Sequence, residues 1–404
     1  MTKQTEGQTI DFKETYGIDM WDQETIESFR KTLLDWYDQE KRDLPWRRTN
    51  DPYGIWVSEI MLQQTRVDTV IPYYHRFMKA FPTIKDLAEA PEDKLLKVWE
   101  GLGYYSRVRN MQHAANQIMI DYGGVFPSET AEIRKLKGIG PYTSGAIASI
   151  AFGHPEPAVD GNLMRVLSRL FEIDADIAKP SSRKIFEVVM RHIIDPERPG
   201  DFNQAMMDLG ATICTPANYH PEQSPVKAFN RSYHNGTWMH YPVKSKKKKA
   251  KPVNYAALMI QNDKGEWLLE KRPQTGLLAN MWTFPLVSDE ESGWKAFPAP
   301  KAAAPLLDEE DIRELQQHTS KTYHIVPELE NEAIGTVTHI FSHLKWTIHV
   351  YQGTVLQGET ELTEHCRWVN EADFDSFTFP VPQQKMWQLY KEWQTSAVQL
   401  GLDI

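Results

Sequence analysis

Apolar residues recur at intervals of three and four through the first half of the chain, the spacing that lines one face of a helix. Proline and glycine interrupt the pattern at distances typical of helix ends. Residues 23–243 therefore read as an all-α domain. Its predicted helices cover Thr25–Tyr37, Tyr53–Val70, Ile84–Ala88, Asp93–Trp99, Tyr105–Tyr122, Thr130–Leu136, Tyr142–Ala151, Gly161–Phe171, Ser182–Ile193 and Phe202–Thr212. Residues 1–22 lack the pattern and read as a loose leader.

After residue 252 the period changes to short strand-like runs bounded by Gly, Asn, Asp and Pro. Tyr255–Ile260, Trp267–Arg272, Trp346–Tyr351 and Cys366–Val369 read as strands, with helices near Glu309–His318 and Gln383–Glu392. This predicts an α+β domain over residues 253–404. Between the two regions, Lys244-Ser-Lys-Lys-Lys-Lys-Ala-Lys-Pro252 is either a solvated linker or an arm whose lysines neutralise phosphates.

Composition narrows the classes. The chain of 404 residues is 41% hydrophobic and 25% charged, which is globular, and no apolar run is long enough to span a bilayer. The polar N-terminus of mixed charge reads as neither a signal nor a transit peptide. Only Cys214 and Cys366 are present, which excludes a disulfide framework and leads us to expect a cytoplasmic protein. A net charge of −10 argues against bulk attraction to nucleic acid, but a local patch or backbone amides can still grip phosphates.

Candidate chemistry is concentrated in three stretches. In Trp56-Val-Ser-Glu-Ile-Met-Leu-Gln-Gln-Thr65, Glu59 falls on the face shared by Ile55 and Leu62. A carboxyl group there is either a desolvated acid holding its proton near neutral pH or an ordinary paired glutamate. In Leu136-Lys-Gly-Ile-Gly-Pro-Tyr142, Gly138 and Gly140 allow a tight turn whose amides face an anion, or an ordinary helical corner. In Val159-Asp-Gly-Asn162, Asp160 sits at a helix start, where it is a cap or a carboxylate kept ionised by amide donors. One carboxyl pushed toward neutrality and one toward charge would make an acid/anion pair for cleaving a glycosidic bond.

Together with Leu44-Pro-Trp-Arg47, Gly101-Leu-Gly-Tyr-Tyr105 and Phe202-Asn-Gln-Ala-Met-Met-Asp-Leu-Gly210, these segments match in order and spacing those of the adenine DNA glycosylases, the MutY family, which the chain resembles over roughly residues 25 to 395. The resemblance implies an all-α helix-hairpin-helix glycosylase domain followed by a Nudix-like (MutT-like) domain. It implies a base-excision repair enzyme acting, as a monomer, on duplex DNA carrying 8-oxoguanine:adenine or guanine:adenine mispairs. In that reading Glu59 protonates adenine N7, Asp160 stabilises or traps the sugar cation, Tyr142 lies against both carboxyls and Asn162 orients Asp160. Arg47 and Gln204 line the adenine pocket, and Gln64 wedges into the vacated stack. Tyr104 intercalates beside the oxidised guanine, with Thr65 and Leu102 around it. Gly138 and Gly140 bind the DNA backbone. Bifunctional relatives resembling endonuclease III carry a Schiff-base lysine where this chain has Tyr142, so a monofunctional enzyme leaving an abasic site is expected.

Members of the family usually hold an iron–sulfur cluster on four cysteines spaced C-x6-C-x2-C-x5-C. Here Cys214 matches the first, and Pro221, Ser224 and Asn230 stand at the others, so no cluster and no other metal is expected. The segment is expected to be held instead by packing of Tyr219, Phe229, Tyr233 and Trp238. In the C-terminal part, the run Trp267 to Pro285 resembles the family's Nudix-like recognition domain, but the carboxylate signature of a Mg²⁺-dependent pyrophosphohydrolase does not follow it. In Thr338-His-Ile-Phe-Ser-His343 the resemblance assigns Ser342 to the N7–H of 8-oxoguanine, with Phe341 and His343 positioning the loop.

Overall fold

The computed structural model describes residues 10–246, 249–288, 306–355 and 362–399. The described residues form two compact units, one from Met1–Ala90 with Ser106–Lys247, the other from Pro91–Tyr105 with Lys248–Ile404.

The first unit is helical. Its helices are α1 (Phe12–Tyr16), α2 (Gln23–Glu40), α3 (Pro52–Leu62), α4 (Val67–Ala80), α5 (Ile84–Ala88), α7 (Ser106–Asp121), α8 (Thr130–Ile133), α9 (Pro141–Phe152), α10 (Gly161–Phe171), α11 (Arg183–Ile193), α12 (Pro199–Asp208) and α13 (Arg231–His234). Helix α6 (Glu92–Trp99) belongs to the second unit. Leu33 of α2, Leu167 of α10, Phe186 of α11 and Phe202 of α12 share one core.

Three expectations change here. The 1–22 leader is not loose over its described part: Asp11 caps α1, and Phe12 and Ile18 are buried in the helical core. The single helix expected over Tyr53–Val70 is two, because Gln64 takes a left-handed φ of 58° and Arg66 starts α4. The helix expected to run to Thr212 stops at Asp208 and widens into a π turn, Leu209–Ile213, where the carbonyl of Gly210 is drawn to the Arg165 side chain.

The second unit is built on a seven-stranded sheet with central order β3-β2-β1-β6-β5, in which β4 also pairs with β1 and β7 with β2. Its strands are β1 (Lys251–Asn262), β2 (Trp267–Lys271), β3 (Trp282–Thr283), β4 (Leu286–Ser288), β5 (Glu328–Ile340), β6 (Leu344–Val355) and β7 (Cys366–Val369). The β1–β6 pair is parallel along its whole length, and all the other pairs are antiparallel. β1 begins at Lys251, inside the expected linker, because Lys251 and Pro252 pair with Leu344 and Lys345. β5 escapes the sequence pattern because its first residues, Glu-Leu-Glu-Asn-Glu, are acidic and largely exposed. The carboxylates of Asp308 and Asp311 form a capping box for the helix Glu309–Tyr323.

The segment 91–105 joins this second unit through specific bonds. The Glu92 carboxylate accepts from Asn280 Nδ2 at 3.0 Å, Lys97 Nζ donates to the Phe377 carbonyl at 2.9 Å, and Glu100 accepts from Phe379 N at 2.6 Å.

One close approach in the first unit fixes the stretch before Asp160. A Cβ on Gly145 of α9 would stand 2.1 Å from the Pro157 carbonyl oxygen, so backbone rests directly on backbone. Gly145→Ala should cost about 1–3 kcal/mol by overpacking, read as a lower urea midpoint at unchanged slope. A midpoint equal to the parent's would show that the 157–158 stretch can yield.

Candidate active site

A cavity of about 800 Å³ opens in the first unit, and Arg47, Glu59, Gln64, Tyr142, Asp160 and Gln204 are among its lining residues. Thr65, Asn162, Gly138 and Gly140 line it too. Thus every expected site residue of the first unit converges on one space, although the segments are separated by up to about 160 positions in the chain.

Glu59 reaches the cavity from α3, a helix buried along most of its length. Asp51 caps α3 by accepting from the Tyr53 and Gly54 amides, and every residue from Tyr53 to Met61 is buried. The helix has no polar face, so the carboxyl meets only what lines the cavity. Burial pushes the Glu59 pKa up to about 7, the Asp160 charge adds to the rise, and a hydrogen bond from Tyr142 and the Arg47 charge oppose it. Tyr142 Oη donates to Glu59 Oε2 at 2.7 Å. Burial and the neighbouring carboxyls hold the phenol far above its ordinary pKa, so it stays a donor.

Asp160 caps α10, accepting from Leu163 N at 2.7 Å through Oδ1 and from Asn162 Nδ2 at 3.0 Å through Oδ2. The Asn162 amide is oriented in turn by Arg165, whose Nη2 donates to its Oδ1 at 3.0 Å and to the Gly210 carbonyl at 2.7 Å. The expectation that Asp160 is pushed toward its charged form needs correction. Burial raises its pKa, although the Leu163 and Asn162 amides, Arg165 and the Asn162 side chain all pull it down. The cap restrains a desolvation it does not cancel.

Arg47 is held by a partner that pattern reading missed. Its Nη1 and Nη2 donate to Asp208 Oδ2 at 2.6 Å and Oδ1 at 2.9 Å, and Arg42 Nε donates to the same Oδ1 at 2.8 Å. Asp208 is only 2% exposed. Burial opposes its ionisation, but the two guanidinium groups outweigh burial and hold its pKa below the ordinary value. The only sequence signal was an acid four residues after Gln204, at helical spacing, on the side of α12 that faces the cavity.

At the hairpin, Gly138 has φ 79°, which a side chain rarely adopts. Gly140 instead has φ −95° and open space about it as the N-cap of α9, so it exposes backbone without needing glycine's freedom.

In the second unit, Tyr104 lies 45% exposed at φ 48°, and its hydroxyl is 3.2 Å from Ser342 Oγ. Two residues expected to address the same base are thereby brought together across 238 positions. Ser342 sits in the turn Phe341–His343 between β5 and β6, closed by Phe341 N donating to the Leu344 carbonyl at 2.8 Å. The Phe341 ring packs on His339 and Trp346, the His343 carbonyl accepts from Lys251 N, and Leu102 is buried.

The segment from Cys214 to Asn230 belongs to the first unit. Cys214 is buried, its Sγ contacted by Arg169 Nη1 at 3.2 Å, and Arg169 stacks over Tyr219. The buried Asn230 amide donates to Tyr219 Oη at 2.8 Å and accepts from Tyr233 N and Ser232 Oγ. Pro221 and Ser224 are buried beside it, and Phe229 packs edge-on against Phe29. His234 meets a backbone carbonyl and His220 meets Glu222. Among the described residues no group of three or more His, Cys, Asp or Glu is placed to hold a metal ion. No helix among them is long and apolar enough to cross a membrane.

Two family models match the chain, the HhH-GPD superfamily base excision DNA repair protein over residues 57–192 and the NUDIX domain over residues 256–389. The adenine DNA glycosylase of Homo sapiens is 35% identical over 91% of this chain and 74% of its own length. That of Rattus norvegicus is 36% identical over 91% and 78%, and that of Arabidopsis thaliana 38% identical over 85% and 60%. With both domains matched in order and nearly the whole length aligned, the chain belongs to the adenine DNA glycosylase family.

Proposed function

We propose that this protein hydrolyses the N-glycosidic bond of adenine mispaired with 8-oxoguanine or guanine in duplex DNA, as a monomer. The observation that carries the reading is the placement of Glu59, Tyr142 and Asp160 on one cavity, with the first carboxyl poised near neutrality. Adenine must leave the stack to enter, at a cost of about a few kcal/mol. Protonated Glu59 gives its proton to N7. The C1′–N9 bond then breaks with its electron pair going to the purine. Asp160, ionised, sits against the cationic sugar and stabilises or traps it. Glu59, now a carboxylate, takes a proton from water, whose oxygen bonds to C1′. Adenine and an abasic site remain. Arg47 and Gln204 line the base pocket, Gln64 fills the gap in the duplex with Thr65 beside it, and the Gly138–Gly140 backbone receives a phosphate ahead of α9.

A Schiff-base pathway has no nucleophile here: Tyr142 occupies the lysine position, and no lysine lines the cavity. The chain functions without an iron–sulfur cluster, since one cysteine cannot replace four thiolates and the buried Asn230 amide is already engaged. In the second unit, Tyr104, Ser342, Phe341, His343 and Leu102 form the surface that inspects the 8-oxoguanine partner.

Single-turnover assay on a duplex with one 8-oxoguanine:adenine pair tests the reading. Glu59→Gln should lower the rate at least about 100-fold, and the parent should not nick DNA without base or heat. Undiminished Glu59→Gln activity removes the acid role.

The rate should fall as pH rises through about 7, where Glu59 loses its proton. It should also fall toward acid pH as Asp160 becomes neutral, with burial moving that limb upward from where an exposed aspartate would put it. Because the Tyr142 bond lowers the Glu59 pKa, Tyr142→Phe should move the falling limb to higher pH. A limb that stays or moves down contradicts that coupling.

Replacing Phe341 and Ser342 together by alanine should reduce the preference for 8-oxoguanine:adenine over guanine:adenine by about tenfold, taking about 1–3 kcal/mol per base contact, while excision from guanine:adenine is spared. An unchanged ratio counts against Ser342 as the reader.

A further inference from the structure

Helix α3 delivers Glu59 and then stops one turn later, and what stops it comes from another helix. Gln63 leaves α3 extended, at φ −59° and ψ 111°, and the left-handed residue comes one place later, at Gln64. The last carbonyls of the helix therefore need other donors. Thr65 N supplies one, to Leu62 at 3.2 Å. Others come from Arg107 on α7, only 8% exposed. Its Nη1 donates to the carbonyls of Ile60 at 2.8 Å, Met61 at 2.9 Å and Gln63 at 2.7 Å, while Nη2 lies 3.4 Å from Thr65 Oγ1.

We propose that Arg107 is a positioning residue for base flipping: its guanidinium replaces the missing backbone cap of α3 and sets the Gln63–Thr65 turn, so that Gln64 points into the duplex. This rests on the reading of Gln64 as the wedge. The chemistry of the cap explains why arginine stands there. A cation favours a helix C-terminus, and a planar fork can hold several carbonyls and a hydroxyl in fixed directions. A lysine ammonium carries the charge but is a single point on a flexible stem. Gln64, at φ 58°, keeps a backbone shape that its surroundings must hold. The bonds to Gln63 and Thr65 flank it on both sides. Arg107 touches no substrate in this arrangement, and its effect passes through the turn.

The test is a double-mutant cycle of Arg107→Lys and Gln64→Ala. Two readouts are used: the fluorescence of 2-aminopurine placed opposite 8-oxoguanine, which rises on unstacking, and single-turnover excision of adenine. Arg107→Lys should cut the flipping signal about fivefold and slow excision about tenfold or more, with the thermal midpoint moved by only about a few degrees. In the Gln64→Ala background the same change should cost less than about threefold, because residues acting through one element are not additive. Losses that multiply independently, or a flipping signal kept while excision falls, would overturn the assignment. If the lysine variant does not fold, Arg107→Gln, which keeps one amide donor, enters the same cycle. Should Gln64→Ala alone leave flipping intact, the wedge reading fails, while a loss in Arg107→Lys still assigns the turn to Arg107.

Discussion

The site depends on keeping one carboxyl dry. Solvation of a carboxylate by water is far stronger than anything a protein interior offers unless donors converge on it, so a buried carboxyl keeps its proton to higher pH. Glu59 meets this condition because α3 is buried on every side from Tyr53 to Met61, leaving the cavity as its only outlook. Converging donors would undo the effect, and the structure gives Glu59 one, the phenol of Tyr142. The nearest guanidinium, Arg47, is bonded in a fork to Asp208, which has its own cation in Arg42. Asp208 therefore does more than anchor Arg47. Its negative charge offsets a positive one that would otherwise drive Glu59 toward ionisation, and Arg47 remains only the smallest influence on the Glu59 pKa.

Asp160 shows what the same burial does when the backbone intervenes. It too is desolvated and its pKa rises, but an N-cap amide, the Asn162 amide and Arg165 hold the rise in check. The two carboxyls are thus separated by the number of donors each receives, both having been displaced in the same direction. The Asp160 charge in turn raises the Glu59 pKa, so the two groups do not titrate independently.

Glu59 lies on a helix and Asp160 at a helix start, where the sequence puts them, because both stand next to recognisable turns. Helix periodicity failed where the structure departs from repetition. The break after Leu62 carries no proline or glycine, and Arg107, which bonds the carbonyls there, lies more than forty positions away in the chain. The π turn after Asp208 likewise answers to Arg165 on another helix. Asp208, Arg107 and Arg165 are charged residues, which a single sequence presents as solvated surface. Only packing turns them inward, and each bonds partners from remote segments. Strand β5 was hidden for the opposite reason, since its exposed acidic half offers no burial pattern to read.

Residues 91–105 group with the C-terminal unit, although they are encoded within the helical region. Tyr104 is encoded within the span of the glycosylase family model, yet its hydroxyl lies 3.2 Å from Ser342 Oγ of the C-terminal unit. The side chains of Glu92, Lys97 and Glu100 fasten this segment to Asn280 and to the backbone of Phe377 and Phe379. An aromatic side chain and a serine 238 positions apart in sequence are thereby carried on one compact unit, so their spacing does not depend on a domain boundary.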